Sequence, residues 1–145
     1  ALGAIPRLGD IGVPAHLLAG SLICSMAQRL ARKLCSACKK SRLATPEESR
    51  LLGFQPDDPP VVHDAVGCSV CNNKGHKGRT AIIEVLRVDQ GMNELIATHA
   101  TRNQMMEYAL ENGFVTMMED GIDKVINGEI DIPQLISNID MTERL

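Results

Sequence analysis

The chain has 145 residues, 44% of them apolar and 23% charged, with a formal net charge of −3; this allows one domain or a few small pieces sharing a core and excludes disorder throughout. The charge balance, with no Trp and only Tyr108, Phe54 and Phe114 as aromatic residues, argues against a nucleic-acid partner held by a basic field or by base stacking. No window approaches the roughly 20 uninterrupted apolar residues of a membrane-spanning helix, and the first residues lack the layout of a signal peptide.

With so few rings, the core must be built from Leu, Ile, Val, Ala and seven Met, which suits packed helices. Ala1 begins inside a pattern, so a piece cut from a longer protein is expected. Pro14 stands where a helix can start. Leu18, Leu22, Met26 and Leu30 then recur every four residues, with Ile23 and Leu34 beside them, and the spacing predicts a helix from Pro14 to Leu34. Cys24 is expected as a small buried residue of that helix. Arg29, Arg32 and Lys33 would complement its dipole near the end.

The stretch from Cys35 to Gly78 is polar and punctuated. Thr45-Pro46-Glu47-Glu48 is a helix-start signature, with Thr45 as N-cap and a glutamate at the third position to return a bond. Gly53 ends that helix after two turns, and Asp57-Asp58-Pro59-Pro60 reads as loop. Thr80 to Val88 is β-branched and apolar enough for a short strand. Asp89 caps a helix reaching about His99, and Thr101-Arg102-Asn103-Gln104 is a second capping box whose helix ends at Gly113. Short helices follow around Met117–Ile126 and Pro133–Ile139, with Gly128 between them. Met105, Met106, Met117 and Met118 read as core filler.

The chemistry lies in the cysteines. Cys35-Ser36-Ala37-Cys38 and Cys68-Ser69-Val70-Cys71 are two C-x-x-C pairs separated by 29 residues. Each pair presents two sulfurs on one side of a tight loop, and two pairs supply the four soft donors of a structural zinc tetrahedron. Gly67 and Gly75 give the backbone room to turn. Lys33, Lys39, Lys40, Lys74 and Lys77 flank the ligands and offset the formal −2 of zinc with four thiolates. The long gap should hold structure of its own. An iron–sulfur cluster and a redox dithiol are the competing readings of the cysteines, although no βαβ pattern accompanies them. His76 is a weaker candidate ligand; His16, His63 and His99 have no partner spacing. Arg79 and Glu84 fall on opposite faces of the expected strand. Phosphate-loop, nucleophile-elbow and paired-histidine zinc motifs are missing, so no turnover is expected of these residues. A nucleic-acid-binding zinc ribbon and a thiol redox protein remain the alternative functions.

On these residues the chain resembles the C-terminal part of the type II secretion and type IV pilus assembly ATPase family. The resemblance is carried by Gly3–Leu8 with Asp10-Ile11-Gly12, by Ala27–Leu30 running into Leu34 and the first pair, and by Gly67 with the second pair. Gly75-x-x-Gly78-Arg79, Glu84, Glu119-Asp120-Gly121, Lys124 and Gly128 extend it nearly end to end. It differs at His76 and Ile83, where the family often has aromatics, and at Ala81, where it often has Gly.

The resemblance implies a fold that is mainly α, a helix-dominated α+β chain with a small tetracysteine zinc-binding subdomain and one or two short strands. It implies residues 1–34 as the end of a nucleotide-binding domain, 35–78 as the zinc subdomain and 79–145 as a strand plus helical subdomain. Cys35, Cys38, Cys68 and Cys71 would hold structural Zn2+, with ATP and Mg2+ bound only by the parent. That parent would be a hexameric ATPase at the cytoplasmic face of the inner membrane. Its partners would be its own motor domain, neighbouring subunits and a membrane platform protein, and no nucleic acid is expected. Cys68→Ser is expected to melt residues 35–78 while leaving the later helices largely folded.

Overall fold

The structure, a computed structural model, describes residues 1–141; the last four residues of the expected 79–145 segment lie outside the described residues. Its elements in chain order are α1 (Ala4–Asp10), α2 (Ala15–Ser21), β1 (Cys24–Leu34), β2 (Lys40–Leu43), α3 (Pro46–Leu52) and β3 (Val61–Asp64). A short 3-10 turn (Ser69–Cys71) leads to β4 (His76–Arg87), α4 (Gln90–Ala97), α5 (Arg102–Glu111), α6 (Met117–Ile126) and α7 (Ile132–Asn138). The fold is helix-dominated α+β, but four strands are described, two of them with 11 and 12 residues. The expectation of one or two short strands is corrected accordingly.

The chain divides into two compact units, each discontinuous in sequence. The first comprises Ala1–Ala27 and Ile83–Thr116. Its core gathers Leu2, Ile5 and Leu18 with Leu86, Met92, Ile96, Met105 and Phe114. The second comprises Gln28–Ile82 and Met117–Leu145, with a core of Leu51, Leu52, Val62, Ile82, Ile122, Val125, Ile130 and Leu135. No helix is long and apolar enough to cross a membrane among the described residues.

Local capping signals are met. Thr45 accepts from the Glu48 amide while the Glu48 carboxylate accepts from the Thr45 amide, and Gly53 closes α3 in the left-handed region at φ 84°. Thr101 and Gln104 form the same reciprocal pair on α5. Asp89 caps α4 through Met92, and α6 covers Met117–Ile126. Met105 is buried, while Met106, Met117 and Met118 pack partly buried against the cores.

The helix expected from Pro14 to Leu34 is not formed. It starts on time, with Pro14 as an extended N-cap, but α2 ends at Ser21, and β1 occupies Cys24–Leu34. The four-residue spacing misled because Met26 and Leu30 are 61% and 53% exposed, whereas Ala31 and Leu34 are buried. Hydrogen bonding to β4 in a two-stranded sheet supplies backbone partners that sequence periodicity does not reveal. Cys24 is consequently an exposed strand residue, not a buried helical one.

Within the second unit, the 29-residue gap between the cysteine pairs holds β2, α3 and β3. Strands β2 and β3 pair antiparallel with Lys40 opposite Asp64 and Leu43 opposite Val61. Arg42 braces this hairpin: its Nε donates to Asp64 at 2.7 Å and its two Nη atoms donate to Glu48 at 2.6 and 2.7 Å. The register brings the end of β3 back beside the start of β2, and so returns the second cysteine pair toward the first.

Candidate metal centre

The first pair sits where β1 ends. Cys35 donates its amide to the Gly75 carbonyl at 2.9 Å, and Cys38 donates its amide to the Cys35 carbonyl at 3.2 Å, tightening the C-x-x-C loop. The second pair sits on the 3-10 turn, with Asn72 in the left-handed region closing it. Glycine is required at Gly75, with φ at 72°: a Cβ there would meet the Ala65 Cβ at 2.7 Å.

All four sulfur atoms lie within 4.8 Å of one another. Cys35 and Cys68 sulfurs are 3.9 Å apart, Cys38 and Cys71 3.8 Å, and Cys68 and Cys71 3.8 Å. A regular tetrahedron of sulfurs about 2.3 Å from a central zinc has edges of about 3.8 Å. The donor set therefore fits a zinc ion in number, softness and spacing.

The backbone is arranged for sulfur that carries charge. The Gly67 amide donates to Cys38 Sγ at 3.3 Å, and the Cys68 and Gly75 amides donate to Cys71 Sγ at 3.2 and 3.3 Å. Burial pushes the Cys71 thiol up, but those two amides and the Cys38 and Cys68 thiols outweigh it and bring its pKa down to about 6. Burial likewise pushes Cys38 up, to about 11, with its single amide from Gly67 acting against it. Four crowded sulfurs cannot all ionise without a cation among them.

The other residues singled out in the sequence go elsewhere. His76 does not join the sulfur cluster among the described residues: Nε2 donates to Asp131 Oδ2 at 2.9 Å and Nδ1 lies 3.2 Å from the Lys74 carbonyl oxygen. Lys39 donates to the Gly128 carbonyl at 2.7 Å. Arg79 lines an open cleft of about 620 Å³ with Arg32, Lys74, His76 and Gly78. His63 lies on β3, and its buried Nδ1 has no hydrogen-bond partner among the described residues. His16 lies in α2, and His99 follows α4 with φ at 54°. The Asp131 and Gly128 contacts were missed by sequence reading because each joins residues more than 50 positions apart; only the isolated Gly128 gave a local hint.

Comparison with known proteins adds a second line of argument. Residues 1–137 match the family model described as type II/IV secretion system protein. The chain is 38% identical to type II secretion system protein E of Pseudomonas aeruginosa over 94% of this chain and 27% of that protein. It is 40% identical to type II secretion system ATPase E of Vibrio cholerae over 88% of this chain and 25% of that protein. It is 33% identical to type IV pilus assembly ATPase PilB of Myxococcus xanthus, again over 94% of this chain and 25% of the relative. The chain thus spans about a quarter of the length of these relatives.

Proposed function

This chain belongs to the type II/IV secretion system protein family, and from that premise we propose that it is the zinc-stapled structural and interaction module of a secretion or pilus-assembly motor ATPase. The observation that carries the zinc assignment is the four-sulfur cluster, whose spacing suits one tetrahedral ion. Cys35, Cys38, Cys68 and Cys71 would hold it, and residues 35–78 would be the metal-bearing segment, between the end of the nucleotide-binding part at 1–34 and the strand and helices of 79–145. The ion would hold the two C-x-x-C loops together and do no chemistry on a substrate.

ATP hydrolysis, with its Mg2+, belongs in this reading to the parent enzyme. The parent would act as a hexamer on the cytoplasmic side of the inner membrane, against a membrane platform protein. The names of the relatives support the ATPase part of this reading, since they describe a type II secretion system ATPase and a type IV pilus assembly ATPase. Val66 before the turn at residues 68–75 and Val70 within it are exposed and would offer apolar contacts to partners of such an assembly.

The test is metal content by mass spectrometry on protein purified with a thiol reductant and without added metal. One zinc per chain is expected. Folded protein carrying no metal and five free thiols would overturn the assignment, and stoichiometric iron would redirect it to an iron–sulfur centre.

A further inference from the structure

The loop between α6 and α7 is built into the surroundings of the cysteine cluster, one residue after another. Gly128 receives the Lys39 ammonium on its carbonyl at 2.7 Å, and Lys39 directly follows Cys38. The carbonyl of Glu129 accepts from the amide of Leu34, the residue before Cys35, at 2.8 Å. Asp131 divides its carboxylate: Oδ1 accepts from the Gln134 amide at 3.0 Å and caps α7, while Oδ2 accepts from His76 at 2.9 Å. His76 immediately follows Gly75, whose amide donates to Cys71 and whose carbonyl accepts from Cys35.

This contact is shielded and tight. The His76 and Asp131 side chains are only 14% and 7% exposed. Gly128 has φ at +66°, and a Cβ on it would stand 2.7 Å from His63 Nδ1 and 2.8 Å from Lys39 Nζ. The loop is therefore fitted closely against its partners, which are drawn from both C-x-x-C segments.

We propose that residues 128–131 form the outer layer of the metal centre, with His76 and Lys39 as positioning residues, so that metal retention and the seating of α7 are a single coupled equilibrium. The inference rests on the zinc reading above. Groups that orient ligands from behind typically alter metal affinity by about 10- to 100-fold when removed. By linkage, whatever holds the loop also strengthens zinc binding, and loss of the ion loosens the loop; among variants of one site, such affinity differences fall mostly on the dissociation rate.

The experiment uses the 145-residue protein as purified, with two readouts: the rate of zinc transfer to a chromophoric chelator, and amide hydrogen exchange. His76→Ala is expected to release zinc at least about ten times faster than the parent sequence and to speed exchange in α7. His76→Gln, which keeps a donor near Nε2, should restore most of the slow release. Asp131→Asn keeps a competent N-cap for α7 while exchanging the charged acceptor of His76; it should release zinc faster with α7 still helical. Amides of α4 and α5, in the other unit, report whether a variant has lost its fold altogether. Unchanged zinc release in both His76→Ala and Asp131→Asn, with α7 exchange unaffected by chelation, overturns the inference and leaves the zinc reading standing. The unsubstituted 145-residue protein carrying no zinc overturns both.

Discussion

The sulfur atoms of Cys35 and Cys68 stand 3.9 Å apart although 33 positions separate the residues in the chain. Closing that distance takes the β2–β3 hairpin and the turn that follows it. The cluster is thus a product of the second unit, and its integrity should be readable in every element of that unit.

Replacing Cys68 by Ser removes one of four donors. Zinc content should fall from one per chain to a small fraction of that, and amides of β2, β3, α6 and α7 should exchange faster. Structural zinc contributes on the order of 10 kcal/mol to the folding of small zinc units. Sparing of all later helices, as sequence alone suggested, is not expected, because Ile122, Val125, Ile130 and Leu135 share a core with Leu51 and Val62. Helices α4 and α5 pack in the other core and should keep their protection. Hydrogen exchange followed by mass spectrometry separates these outcomes.

Met26 distinguishes the strand from the helix that periodicity suggests. It is 61% exposed on β1, so Met26→Glu should change stability by less than about 0.5 kcal/mol. A Met on the buried face of a helix would lose about 2–5 kcal/mol when its side chain is lost from the core. Urea denaturation of the single variant is sufficient.

Arg42 joins β2 to α3 and β3 by three charge-assisted bonds, two of them bidentate to Glu48. The guanidinium holds Glu48 below the usual carboxylate range. Lysine cannot reproduce the fork. Since the pair is partly solvated, Arg42→Lys should cost only about 0.5–1 kcal/mol by denaturation, and most of that loss should disappear in a Glu48→Gln background.

Asp89 and Tyr108 set opposite pH limits on the first unit. The Met92 amide, together with the Tyr108 hydroxyl, holds Asp89 below its ordinary value of 3.8. Its contribution is therefore present above about pH 4 and is lost as pH falls through the lowered folded value. The bond to Asp89 raises Tyr108 above its ordinary 10.0. That contribution is complete below about pH 10 and is lost as pH rises through the raised value. Tyr108→Phe should flatten the alkaline limb and leave the acid limb nearly unchanged, and Asp89→Ala should weaken both and lower stability at neutral pH through loss of the cap. Thermal unfolding across pH 3 to 11 supplies the comparison.

Much of the local structure is determined by the sequence alone. Thr45, Asp89 and Thr101 announce their helices because capping involves residues three apart, and Gly53 stops α3 for an equally local reason. The two C-x-x-C pairs mark a candidate metal site because four sulfurs at that spacing suit few other purposes, and the fold brings the four together. The course of residues 24–34 was decided by tertiary structure: β1 gains its backbone partners from β4, some 50 positions later, and exposes Met26 and Leu30 in defiance of a helical period. The same holds for the hairpin between the cysteine pairs and for the seat of residues 128–131 against Lys39 and His76. These depend on contacts between distant segments, whose free energy appears only when the chain has closed on itself and which no short window of sequence contains.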